Sequence, residues 1–155
     1  MGTTIQPAPR MNKSFKRVMV TGSRTWAKCP HDPVHPAQLP CSVVIEHRRV
    51  MLEAFAEHVV PLAREYHLEL IHGDAEGADK LAANYWSFYR YGPITAFPAN
   101  WDLGKGGGNA RNGVLVAHMP DLVLAFHLDN SRGTADAIRQ AKAAGLTVHI
   151  YPKEN

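Results

Sequence analysis

The sequence predicts a single-domain α/β fold built on a mainly parallel sheet of about five strands flanked by helices. Two observations carry that prediction. Short apolar runs alternate with longer segments of helical periodicity, as right-handed βαβ crossovers require. Three of the runs also stop at turns rich in glycine, hydroxyls and charge: Gly22-Ser23-Arg24, His72-Gly73-Asp74-Ala75 and Ser131-Arg132-Gly133-Thr134. Such turns leave the carboxyl ends of parallel strands, which is where ligands bind in open α/β sheets.

Residues 17–21 read as a buried strand, because Val18, Met19 and Val20 are contiguous and meet a glycine turn. Residues 26–41 hold Pro30, Pro33, Pro36 and Pro40 and read as a long irregular loop. Ser42 is the expected N-cap of the next helix, in which Met51, Phe55, Val59, Leu62 and Tyr66 form one apolar stripe. Pro61 is expected to kink that helix or end its regular part. Residues 68–71 give a second strand and residues 77–90 a helix, with Ala78, Leu81, Ala82, Tyr85 and Phe88 or Tyr89 turned inward. Ile94–Phe97 forms a short third strand. Gly104–Gly108 reads as a flexible loop, 109–118 as a short helix and Leu122–Phe126 as a fourth strand. A helix over 133–144 ends at Gly145, and Leu146–Ile150 closes the sheet. The architecture is Rossmann-like, over residues 15–155, with 1–14 as a flexible tail.

The chain has 155 residues, 45% hydrophobic and 20% charged, the balance of an ordinary globular domain. Its net charge of +3 comes without a run of Lys or Arg, so basicity gives little support to a nucleic-acid partner. No apolar stretch reaches a membrane-spanning length and no secretory leader is legible. With two cysteines, Cys29 and Cys41, the expected setting is a reduced cytoplasm.

The turns carry the chemistry. Gly22, Ser23 and Arg24 combine close-approach backbone, a hydroxyl and a guanidinium, suited to phosphate or carboxylate. A strand-ending turn with a surface arginine is the plainer reading. Gly73 and Gly77 permit tight geometry, while Asp74 and Asp79 serve either as ribose-hydroxyl acceptors or as a helix cap and a first-turn dipole residue. Arg132, Gly133 and Thr134 open a helix with free amides and a cation, a phosphate cradle. No Walker A loop and no G-x-G-x-x-G at a strand-to-helix turn occurs, which disfavours ATPase and standard dinucleotide-dehydrogenase readings. Trp101, beside the glycine run, is either a base-stacking lid or a loop anchor.

Taken in order with Pro98-Ala99-Asn100-Trp101 and Ala110-Arg111-Asn112, and with Gly77-Ala78-Asp79 and Ala135-Asp136 continuing the turns, these motifs resemble the YspA-type, cpYpsA-related branch of the SLOG superfamily. The match covers roughly residues 17–151, and that superfamily also holds the LOG phosphoribohydrolases and the DNA-processing protein A single-strand binders. The resemblance implies a Rossmann-type fold that binds nucleotides or nucleotide-derived ligands, and a homo-oligomer. LOG enzymes pair an arginine, on the helix before the fourth strand, with a glutamate in P-G-G-x-G-T-x-x-E. Arg111 takes the arginine place. The second motif survives only in part, with Ala137 at the glutamate position and Asp136 the nearest carboxylate, about 100° away around a helix.

Three functions follow as alternatives. A nucleotide-type ligand is bound or sensed through Arg24, Arg132, Gly133 and Thr134 for phosphate, Asp74 or Asp79 for ribose, and Arg111 and Asn112 at the rim. A nucleotide is hydrolysed at its N-glycosidic or phosphate-ester bond, with Arg111 steadying charge and Asp136, Asp79 or Asp74 as base. Single-stranded nucleic acid is bound through Trp101, Tyr85, Trp86 and arginines. Separately, Cys29, His31, His35 and Cys41 offer a zinc ligand set within the proline-rich loop, against the reading of an ordinary mobile loop.

Overall fold

The computed structural model describes residues 13–31, 33–34, 41–104, 106–128 and 131–153. Five parallel strands run in the order β3-β2-β1-β4-β5: β1 is Phe15–Gly22, β2 His67–His72, β3 Ile94–Ala96, β4 Leu122–Phe126 and β5 Val148–Tyr151. The Rossmann-like α/β expectation holds.

The sheet is sandwiched because its strands are apolar on both faces. In β1, Val18 and Val20 join one core cluster while Met19 joins the other. β4 divides likewise, with Leu122, Leu124 and Phe126 on the first side and Val123 on the second. This is the two-residue period of a strand expressed in burial. Helices α1 (Ser42–Ala54) and α3 (Ala78–Phe88) supply Met51, Ala54, Ala82 and Trp86 to the first cluster. Helices α4 (Gly106–Ala117) and α5 (Arg132–Ala143) supply Leu115, Val116, Ala137 and Ala141 to the second. The edge strands β3 and β5 are short, three and four residues, which limits open pairing.

Pro61 acts as expected, with a defined geometry. It has no N–H to offer the preceding turn, and the chain passes through a π-helical stretch, Phe55–Val59, before α2 (Val60–Glu65). There the Val60 N–H donates to the Phe55 carbonyl.

Three sequence expectations need correction. Ser42 is the first helical residue of α1; Cys41 stands at the N-cap, and its side chain makes no capping hydrogen bond. Phe88 and Tyr89 are exposed, and Trp86 is the fully buried aromatic of α3. The stripe 78, 82, 86 follows the four-residue spacing, and the Trp86 indole N–H is satisfied by the Gly92 carbonyl at 3.0 Å. Gly106–Gly108 are helical rather than loop, forming the first turn of α4. A Cβ on Gly107 would lie 2.2 Å from the Asn100 carbonyl oxygen, so the glycine is there for close packing rather than flexibility.

The connection after β1 leads to β2 and β3 on one side, and β4 and β5 are added on the other. A crevice therefore opens at the carboxyl ends of β1 and β4, the switch point of the sheet.

Candidate functional site

Ser23 ties that switch point together. Its N–H donates to the Phe126 carbonyl (2.9 Å), its Oγ accepts from the Leu128 N–H (2.8 Å), and its carbonyl accepts from the Trp26 and Ala78 N–H groups. One buried serine thus joins the ends of β1 and β4 to the start of α3. The hydroxyl is spent on backbone, which leaves Arg24 as the exposed reactive group of this turn. The Arg24 guanidinium lies 5.2 Å from the Trp101 ring centroid, a cation–π contact across the mouth of the crevice.

The β2 turn is organised by Asp79. Its Oδ2 accepts from the N–H groups of Gly73 (3.0 Å) and Ala75 (3.2 Å), while its buried Oδ1 has no hydrogen-bond partner among the described residues. Burial pushes this carboxyl up to about 7, although the two amides and the nearby Arg111 guanidinium oppose the shift. Asp74 behaves differently. Its backbone is left-handed (φ 59°), its N–H donates to His72 Nδ1 at 2.9 Å, and its carboxylate pairs with Lys80 at 2.8 Å. Asp74 therefore faces Lys80 and contributes nothing to the crevice wall. Burial holds the His72 imidazole below its ordinary range, so it remains a neutral acceptor.

From the other layer, α4 projects Arg111 and Asn112. The Arg111 guanidinium is half-buried; Nη1 donates to the Gly73 carbonyl and Nε to Asn112 Oδ1 at 3.0 Å. A Cβ at position 73 would sit 2.1 Å from Arg111 Nη1, so a side chain there would push the guanidinium out of this contact. Asn112 Nδ2 in turn donates to the Gly133 carbonyl (3.1 Å) and to Asp136 Oδ2 (3.0 Å). Asp136 is also held by Gln140 Nε2 (2.8 Å) and by the Arg139 guanidinium. It braces α4 against α5 and is absent from the crevice lining, whereas Asp79, another candidate base of the hydrolytic reading, lines it.

The result is one cavity of about 630 Å³. Its walls hold Gly22, Ser23, Arg24, Gly73, Asp79 and Trp101 together with Arg111, Asn112, Arg132, Gly133 and Thr134. Eleven sequence-predicted residues from four separate segments thus meet at a single site. Gly77 lies behind it: with φ at +81° and a Cβ that would meet the Ser23 and Arg24 carbonyls at 2.4 and 2.5 Å, it shapes the Arg24 turn. Thr21, Thr25 and Asn109 also line the cavity and escaped the sequence reading, and Ser131, read there as part of the third turn but not as a site residue, lines it too. Ser131 had a legible signal, since it stands at the N-cap of α5 with Oγ 2.7 Å from Thr134 Oγ1. Asn109 was hidden by its glycine run.

The aromatic residues divide clearly. Trp101 is 55% exposed and borders the cavity. Trp26 is buried and stacks on His47 with centroids 4.4 Å apart, and Trp86 is wholly internal. Neither of those two can stack on a base. In the proline-rich loop, Cys29 Sγ and Cys41 Sγ lie 3.3 and 3.5 Å from His31 Nδ1. His35 lies outside the described residues.

No family model matches the sequence, and no solved structure matches it. The Gene 61 protein of Mycobacterium phage D29 is 32% identical over 142 residues, covering 86% of this chain and 94% of that protein. The chain belongs to its family. For this Gene 61 family member the match spans most of the domain, while the designation names no ligand. No helix among the described residues is long and apolar enough to cross a membrane.

Proposed function

We propose that the protein binds a nucleotide or nucleotide-derived small molecule in the β1/β4 crevice. One observation carries this reading: three guanidinium groups, Arg24, Arg111 and Arg132, and the N-terminus of α5 border a single cavity. Helix amides and arginines together recognise phosphate by charge-assisted hydrogen bonds. Gly133, whose absent Cβ would meet nothing within 4 Å, leaves that helix end open to an anion. Trp101 supplies an exposed ring suited to stacking on a base, and the volume falls within the range for small-molecule sites. The resemblance of the same turns to SLOG proteins supports the same ligand class.

The test is thermal stability in the presence of nucleoside mono-, di- and triphosphates, ADP-ribose and NAD. At least one is expected to raise the Tm, and Arg24→Ala or Arg132→Ala is expected to weaken its binding roughly 10- to 100-fold, a cost of about 1.5–3 kcal/mol. Stabilisation that persists undiminished in both variants would falsify the phosphate assignment.

A hydrolytic reading has its own support in Asp79. A buried cavity carboxyl with one unpartnered oxygen and a midpoint near neutrality suits general acid–base work, with Arg111 beside it for developing negative charge. Release of free base or ribose phosphate from nucleoside monophosphates, abolished by Asp79→Asn and by Arg111→Ala, is the expected result. No release from any of them would remove this reading while leaving ligand binding intact.

A further inference from the structure

We propose that the loop between β1 and α1 holds a zinc ion through Cys29 Sγ, His31 Nδ1 and Cys41 Sγ. Three soft or borderline donor atoms lie within 4.8 Å of one another, and neither cysteine is in a disulfide. Zinc bound tetrahedrally at about 2.3 Å from sulfur and 2.0–2.1 Å from nitrogen places neighbouring S and N ligands roughly 3.5 Å apart. The two S···N separations, 3.3 and 3.5 Å, match that edge of the tetrahedron.

The surroundings fit a structural site. Cys41 is buried at the start of α1, its carbonyl receives the Ile45 N–H at 3.0 Å, and its thiol is turned to His31 instead of capping the helix. The root of the loop is already fixed, since Trp26 packs in the core and the Ala27 N–H donates to His47 Nδ1 at 2.8 Å. Beyond that root Pro30 and Pro33 are exposed, and a bound metal would supply ordering energy that core packing does not. Binding replaces two thiol protons with one Zn²⁺. Two protons are released per ion, and two thiolates balance the cation's charge, leaving a fourth corner for one further ligand. The ion would pin the distal part of the segment whose proximal end presents Arg24 to the crevice.

The full chain, purified without chelator, is expected to hold about one zinc per molecule by elemental analysis. Removing the ion with a strong chelator is expected to lower the Tm by at least about 5 °C, restored by zinc alone. Cobalt(II) added to the metal-free protein is expected to give tetrahedral d–d bands and a thiolate-to-cobalt charge-transfer band. Cys29→Ser and Cys41→Ser should each diminish that charge-transfer band and weaken retention of the ion. If a variant fails to fold, zinc protection of both thiols from a disulfide reagent in the unmodified chain gives the same readout. Substoichiometric zinc with no cobalt spectrum, or recovery of a Cys29–Cys41 disulfide from freshly purified protein, would overturn the proposal. Because nucleotide stabilisation is read at Arg24 and Arg132, the zinc site and the crevice ligand stand or fall separately.

Discussion

Asp79 shows how one buried residue can hold a turn with one carboxylate oxygen and leave the other without a described partner. Oδ2 is committed to two backbone amides, whereas Oδ1 is buried without a partner among the described residues. An ionised carboxylate there is costly, and its folded midpoint rises from 3.8 to about 7. The sign follows from proton uptake. The folded state binds this proton more tightly than the unfolded chain, so the stability that Asp79 contributes is fully present below about pH 4 and is lost as pH rises through about 7. Urea denaturation at pH 5 and pH 8 is expected to show most of that loss, about 2–3 kcal/mol, and Asp79→Asn should largely abolish it. His72 opposes this trend on the acid side, since its buried imidazole resists protonation; comparing wild type with the variant isolates Asp79. Asp136 makes the contrast. It is equally buried but fully engaged by Asn112, Gln140 and Arg139, and so serves as a brace.

At the scale of elements, glycine positions decide how closely strands, turns and helices approach. Gly77 precedes α3 with a positive φ and packs against the carbonyls of Ser23 and Arg24. Gly77→Ala forces both strain and a clash, so a destabilisation of about 2–3 kcal/mol is expected by chemical denaturation. The Arg24 turn should move with it, and affinity for the crevice ligand should fall more than stability alone explains. Gly104–Gly108 illustrates the opposite lesson about reading glycines. Their composition suggests mobility, yet Gly106, Gly107 and Gly108 form a helical turn, with Gly107 and Gly108 packed against Asn100 and Trp101. Trp86 was hidden for a related reason: helical spacing admits two adjacent stripes, and only the Gly92 carbonyl that receives its indole N–H shows which is inward.

For the whole molecule, strand order matters more than any single motif. The order β3-β2-β1-β4-β5 puts the first, second and last of the three turns side by side, although they are separated by tens of residues in sequence. Arginines gathered around one cavity repel one another, and under the proposed function a phosphate-bearing ligand would relieve that repulsion. By mass action, a ligand of the proposed class at 100 times its Kd is expected to stabilise the protein by about 2.7 kcal/mol, a Tm rise of roughly 5–10 °C in a chain of this length.

The sequence by itself determined the alternation of strand and helix, the parallel sheet and most of the residues around the crevice. Apolar runs ending in glycine turns have few other uses in an α/β chain, so Arg24, Gly73 and Gly133 could be named from local pattern alone, whereas Arg111 and Asn112 were named through the family resemblance. Tertiary structure decided what each polar group does once there. Asp74 turns to Lys80, Asp79 turns into the cavity, and Asp136 is sealed behind Asn112. Spacing cannot separate these three carboxylates. Their roles depend on which donors the packing of α4 and α5 against the sheet brings within reach, and on how much water that packing removes.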